Sequence, residues 1–318
     1  MNELSHNPAP CPKRNIILVL EYDGSLFHGW QSQINAAAVQ DIVTGAVRRL
    51  DGEPPERLTG ASRTDAGVHA KGQVVNFFTN SRIPADKYAY ALNTVLPPGI
   101  ACVRSAEAAP DFHARFSAKG KIYTYLILNR RQPSPLYRNR AWHIPLPLDA
   151  GLMRESARLL VGEHDFKAFM SAGSPVSSTV RTVTRLDLDL FRANALDPYA
   201  SCAPGPYPSC AFASSPFCAP VPFPSCVPGP FPSCALASSP FCASDPFPSI
   251  AGTFIRMTVE GNGFLYNMVR IIAGTLVYVG QGRLYAGEVT RALDSGNRAA
   301  AGKTAPAHGL YLERVIYD

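Results

Sequence analysis

Long apolar runs are missing from this 318-residue chain. The apolar run at residues 16–20 is strand-sized, far short of the ~20 residues that span a bilayer. Residues 1–14 are polar and contain proline, without the apolar centre of a signal peptide. A soluble cytoplasmic protein is the expectation. Cysteine is scarce outside one segment: of 8 cysteines, only Cys11 and Cys102 lie elsewhere. A nearly thiol-free globular part suits a reducing compartment and excludes a disulfide scaffold. An excess of one charge is also small. Lys and Arg number 30 against 24 Asp and Glu, a net charge of +6. Such a balance permits a polyanionic partner without requiring one. More telling are the arginines near the motifs below: Arg57, Arg63, Arg104, Arg115, Arg130, Arg131, Arg138 and Arg140.

Hydrophobic residues make up 46 % of the chain, enough for a sizeable core. Periodicity predicts a strand at residues 16–22 ended by Asp23-Gly24. Val39, Ile42, Val43, Ala46, Val47 and Leu50 recur at helical spacing, and Asp51-Gly52 stops them. A loop at 58–71 then leads into a strand at 73–79. A helix at 85–96, stopped by Pro97-Pro98-Gly99, precedes a strand at 100–106. The later part repeats the theme, with strands at 121–128, 180–191, 253–259 and 310–316. Its helices fall at 150–161, 264–279 and 287–294. Along 121–128, Tyr123, Tyr125 and Ile127 share one face. The expected fold is α+β: two similar, ferredoxin-like halves, a largely antiparallel mixed sheet, helices on one face, and a cleft between the halves. The expected division is a flexible tail at 1–14, an N-terminal half at 15–118 and a C-terminal half at 119–318.

Residues 195–249 interrupt the second half. Residues 201–219 and 225–243 are near copies, 24 positions apart, and Cys202, Cys210, Cys218, Cys226, Cys234 and Cys242 recur every eighth residue. Proline is too dense there for a helix or central strand. Zinc sites want cysteines two to four apart, and none are. The segment reads as an expanded repeat inserted into a surface hairpin and lacking fixed order, rather than a metal array. Long surface insertions cost little, because closure entropy grows only logarithmically with length.

The chemistry concentrates in Ser62-Arg63-Thr64-Asp65-Ala66-Gly67-Val68-His69-Ala70-Lys71-Gly72-Gln73. It places one acid beside an arginine and small residues, just ahead of a strand. By itself such an acid is a turn residue or a helix cap. The unbroken run Arg63 to Ala70, with Gly72-Gln73-Val74 after it, closely resembles the catalytic loop of the TruA family of tRNA pseudouridine synthases. Ser62 stands where that family often has Gly; both are small, and little consequence is expected. Four more segments resemble the family in the same order. They are Tyr22-Asp23-Gly24 with His28-Gly29-Trp30-Gln31 and Val39-Gln40, then 111–118 with Lys121, Tyr123 and Tyr125, then 261–270, and finally 302–312. The resemblance spans nearly everything except the tail and the repeat.

The resemblance implies an isomerase that converts uridine to pseudouridine in the anticodon stem-loop of tRNA, with Asp65 as nucleophile. The residues alone leave open whether that carboxylate attacks the sugar, attacks the base or takes the C2′ proton. Each route starts from an ionised carboxylate, which burial disfavours. A cation opposite would offset that. Arg270 falls off the apolar stripe of its helix, and in the family the matching arginine pairs with the catalytic aspartate. The family also implies that Tyr123 contacts the extruded base, with removal of the C5 proton left open as a second task, and that Arg63 helps hold the flipped nucleotide or fill its place. His69 and Gln73 are expected near the substrate, or as braces of the loop. His113 and Arg115 are expected on the RNA backbone. No cofactor and no metal are expected; tRNA and a second copy of the chain are the expected partners. A non-catalytic RNA-binding protein on the same fold is the alternative. It would be free to lose Asp65, Tyr123 or Arg270, and this chain has all three. A structural or metal-binding protein organised by the repeat is a third possibility, opposed by the motifs on both sides of it.

Overall fold

The computed structural model describes residues 13–34, 36–173, 176–193 and 252–317. The Cys/Pro repeat and residues 1–12 of the tail lie outside these. The chain divides into two units, 1–192 with 252–318, and 193–251. The first unit holds the sheet and its helices.

Strand β1 (Arg14–Tyr22) sits between β3 (His69–Thr79) and β4 (Ile100–Ala108), antiparallel to both. Ile16, Leu18 and Leu20 are fully buried, which explains the dense apolar run. On the far side of β3 lies β10 (Leu310–Ile316), then β5 (Gly120–Asn129), β9 (Gly252–Gly261), β8 (Val180–Ala193) and β7 (Gly162–Asp165). The short β2 (Thr59–Gly60) pairs with β3, and β6 (Trp142–Ile144) with β5. The sheet is mixed and mostly antiparallel, in keeping with α+β. Among the described residues two pairings are parallel, β3 with β10 and β5 with β6. The β3–β10 pairing is brief, Tyr311 opposite His69 and Leu312 opposite Ala70. It is the seam where strands from the first part of the sequence meet those of the second.

Five helices complete the described fold: α1 (Val39–Asp51), α2 (Tyr88–Asn93), α3 (Ala150–Arg158), α4 (Met268–Gly280) and α5 (Ala286–Ser295). Helix α1 buries Val39, Val43, Ala46 and Val47, the apolar face its spacing predicts. Helix α2 contacts α1 and β4, while α4 contacts β5 and α3. One core cluster joins all of them. No described helix is long and apolar enough to cross a membrane.

Three of the expected elements begin well away from their expected first residue. Strand β3 begins at His69 rather than Gln73, because β10 pairs with its first two residues. Residues 85–87 form a 3-10 turn before a shorter α2. Helix α4 starts at Met268 rather than Phe264, because Asn267 adopts a left-handed conformation (φ 61°) that a helix cannot include.

Candidate active site

The loop between β2 and β3 is held from three sides. Tyr22, at the end of β1, shares a hydrogen bond with the Thr64 hydroxyl at 2.7 Å. The Trp30 N–H donates to the Thr64 carbonyl at 3.0 Å, and the Val68 N–H closes a turn onto the Asp65 carbonyl at 3.1 Å. Gly29 makes the close approach to the Thr64 carbonyl possible. Its φ is +91°, and a Cβ there would fall 2.6 Å from the Thr64 oxygen. Asp65 is thus presented on a fixed turn at the edge of a central strand.

Arg270 comes from the first turn of α4. Its Nη1 stands 3.4 Å from Asp65 Oδ2 and donates to Asn267 Oδ1 at 2.6 Å, while its Nε donates to the Ala305 carbonyl at 2.8 Å. The left-handed Asn267 in turn donates to Ser171 Oγ at 3.0 Å. Helix α4 lies flush on the 303–305 segment, since a Cβ on Gly274 would overlap the Lys303 carbonyl at 1.7 Å. The guanidinium is therefore pre-aimed. Burial raises the Asp65 carboxyl above its ordinary range, and Arg270 offsets part of that rise. Asp65 Oδ1 makes no hydrogen bond among the described residues, so one oxygen is free for chemistry.

Tyr123, on β5, is 6 % exposed. Its hydroxyl shares a hydrogen bond with Ser62 Oγ at 2.8 Å, and its ring meets Phe264 edge-on with centroids 5.2 Å apart. Burial, reinforced by the Asp65 charge, pushes the phenol up to about 12. Ser62 therefore does more than fill a small position: its hydroxyl orients Tyr123. Tyr125, on the same face, is a packing residue whose hydroxyl donates to the Pro306 carbonyl at 2.8 Å.

These groups open on a cavity of about 910 Å³. Asp65, Tyr123, Arg63, His113 and Arg115 all line it. Arg63 is exposed and has no polar partner among the described residues. The lysines and arginines of the lining are Arg57, Arg63, Arg115, Lys121 and Arg181, against the single acid Asp65. Such a cleft attracts polyanions. Lys121, two residues before Tyr123 on the same face, is pushed down to about 8 by burial and by nearby Arg115.

His69 and Gln73 are not among the lining residues. Gln73 is fully buried, donates to the Ser62 carbonyl at 2.6 Å and accepts from the Ser62 N–H at 3.3 Å. His69 Nδ1 accepts from the Gly24 N–H at 3.1 Å, and Nε2 faces the carbonyls of Asn139 and His308 at 2.8 and 3.2 Å. This arrangement fixes the Nε2–H tautomer. Both side chains hold the loop from behind. Sequence reasoning assigns no role to Asn267, Lys121 or Phe116. The only signal for Asn267 is that Asn, among non-glycine residues, tolerates left-handed backbone.

The sequence pattern of a family described as tRNA pseudouridine synthase matches residues 18–117 and 156–318. The chain is similar to tRNA pseudouridine synthase A of a Thermoanaerobacter species, 41 % identical over 304 residues, which is 96 % of this chain and all of that protein. The protein of the same name from Acetivibrio thermocellus is also 41 % identical over 304 residues, with the same shares covered. The tRNA pseudouridine synthase A 2 of Clostridium perfringens is 36 % identical over 304 residues, again 96 % of this chain and all of that protein.

Proposed function

Because the chain belongs to the tRNA pseudouridine synthase family, we propose that Asp65 is the nucleophile with which it isomerises uridine to pseudouridine in the anticodon stem-loop of tRNA. The reaction breaks the N1–C1′ bond, turns the base and joins C5 to C1′. The C5 proton leaves and N1 gains one, so atoms balance without a redox partner or group donor. Attack at C1′, addition to the uracil ring and removal of the C2′ proton all begin from the ionised carboxylate. The observation that carries this reading is Asp65, with one free oxygen and Arg270 at 3.4 Å, in an otherwise basic cavity.

Arg270 offsets part of the cost that burial imposes on the ionised Asp65. The target base leaves its stack to reach the site, and the Tyr123 ring receives it. The task of Tyr123 is to hold the base, and its hydroxyl, kept in place by Ser62, is also the group by which the C5 proton could be taken up. Arg63 contacts the flipped nucleotide or fills the gap it leaves, and Arg115 contacts phosphate. His69 and Gln73 brace the loop. The likeness to the family supports a homodimer, with one tRNA across both subunits. The single buried thiol among the described residues, Cys102, suits a cytoplasmic setting. Residues 195–249 are an insertion that catalysis does not need.

Asp65→Asn tests the reading. The variant is expected to bind tRNA and form no pseudouridine in a carbodiimide primer-extension map. Pseudouridine at wild-type level would remove Asp65 from the chemistry.

A further inference from the structure

One rim of the cavity has a task in that scheme only through Arg115. It is the turn at residues 113–117. Phe116 is 76 % exposed, yet lines the same cavity as Asp65. Single exposed apolar residues are ordinary; the support beneath this one is not. Its ring stacks on His113, with centroids 4.3 Å and planes 29° apart. The imidazole is itself fixed, since Nδ1 accepts from the N–H groups of Arg115 and Phe116, both at 3.2 Å. Ser117 closes the turn. Its N–H donates to the His113 carbonyl at 2.9 Å, and its hydroxyl accepts from the His113 N–H at 3.1 Å.

Three further side chains tie this turn to the sheet. Asn76 Oδ1 accepts from the Ala114 N–H at 2.9 Å, the Tyr317 hydroxyl donates to the Ala114 carbonyl at 2.8 Å, and the Asn15 amide donates to the Phe112 carbonyl at 2.9 Å. Asn15 and Asn76 are buried and bonded to each other at 2.9 Å. Buried amides persist only when fully bonded, and a bonded set specifies one backbone arrangement. The network thus fixes the backbone of the turn that carries the exposed Phe116 ring into the cavity lining. Cations flank it: the Arg115 guanidinium is 5.8 Å from the Phe116 ring centre, and Lys121 lines the same space.

We propose that the His113–Phe116 pair is a stacking platform for a nucleobase next to the target uridine, with Arg115 and Lys121 on the adjoining phosphates. An aromatic face between cations is the chemistry that holds unstacked RNA. Tyr123 is deep in the cavity and Phe116 is at its mouth, so the two serve different bases. The proposal rests on the tRNA reading above.

The test uses tRNA transcripts carrying 2-aminopurine singly at positions flanking the modified uridine. Wild-type protein is expected to quench the fluorescence at one position. Phe116→Leu keeps apolar bulk without an aromatic face. It is expected to lose the quench and to weaken tRNA binding about five- to hundredfold. Phe116→Tyr is expected to retain both. An unchanged quench and affinity in Phe116→Leu would overturn the platform. So would an altered sedimentation of the RNA-free variant with the quench intact, which assigns the ring to a contact between protein copies. If wild type forms pseudouridine in these transcripts while Phe116→Leu changes nothing, the platform alone falls. If wild type neither binds nor modifies them, both readings fall.

Discussion

Asp65 and Arg270 are 205 residues apart in the chain and 3.4 Å apart in the fold. The guanidinium also spans Asn267 and the Ala305 carbonyl, so its position depends on the α4 terminus and on the 303–305 segment together. The consequences of that convergence can be measured.

Arg270→Gln removes the charge that offsets burial at Asp65. The Asp65 carboxyl then rises further, and the acid limb of the rate profile for pseudouridine formation moves to higher pH. At a pH below that limb the loss approaches about tenfold for each pH unit through which the limb moves. Arg270→Lys restores part of it. An unmoved acid limb in Arg270→Gln would separate Arg270 from the ionisation of Asp65.

Ser62→Ala removes the hydroxyl that orients Tyr123. The expected effect is a fall in kcat of about two- to tenfold, the scale of one hydrogen bond. Circular dichroism and melting temperature are expected to stay near wild type. A kcat equal to wild type would reduce Ser62 to a space-filling residue.

Lys121 couples stability and binding in opposite senses. Its folded value, about 8, lies below the unfolded value of 10.5. Between those values the unfolded chain holds the proton and the folded chain does not, so stability rises with pH across the window. Below pH 8 both states are charged and the full cost of the buried ammonium is present. Lys121→Met is therefore expected to melt ~2–4 °C higher than wild type at about pH 7, with the gain shrinking as the pH passes from 8 to 10.5. The same variant is expected to bind tRNA about tenfold more weakly, through loss of a charge-assisted contact to phosphate. Melting curves against pH and a binding isotherm check both halves.

Strands β8 and β9 run side by side. The Asn262 N–H donates to the Thr182 carbonyl at 3.1 Å, and Arg256 pairs with Asp189 at 2.9 Å. Thr182 pairs with Asn262 and Asp189 with Arg256, so the two strands run in opposite directions. Replacing residues 195–249 by a short Asn-Gly turn is expected to keep folding and pseudouridine formation within about twofold. Loss of activity in a correctly folded variant would give the insertion a role in the reaction.

The order of strands and helices is legible wherever burial is periodic. Helix α1 shows its stripe, and Tyr123, Tyr125 and Ile127 share a buried face as the alternation predicts. What is not legible depends on distant partners. β3 gains its first residues from β10, some 240 positions later, and no local signal announces that. β6 and β7 are three and four residues long, too short to show a period. At the candidate site, Arg270 is visible because it is a charge standing off the apolar stripe of its helix, inside a motif. Asn267 is not, because its left-handed backbone leaves no pattern in neighbouring residues. His69 and Gln73 stand in the motif with the same prominence as Arg63. Sequence cannot say which polar side chains face the cavity and which face inward, since that depends on the strands packed behind the loop.

The placement of β10 sets the order of assembly. It follows every other described strand in sequence, yet lies in the middle of the sheet, between β3 and β5. Until it arrives, β3 at residues 69–70 and β5 at residues 120–125 lack the partner on that side, the kind of surface on which partly folded chains stick to one another. Asp65 precedes one of those strands and Tyr123 lies on the other, so the sheet that carries both is complete only with β10 in place. Pseudouridine formation is then a reporter of completed folding, and a chaperone that binds this protein is expected to act while the central slot is vacant.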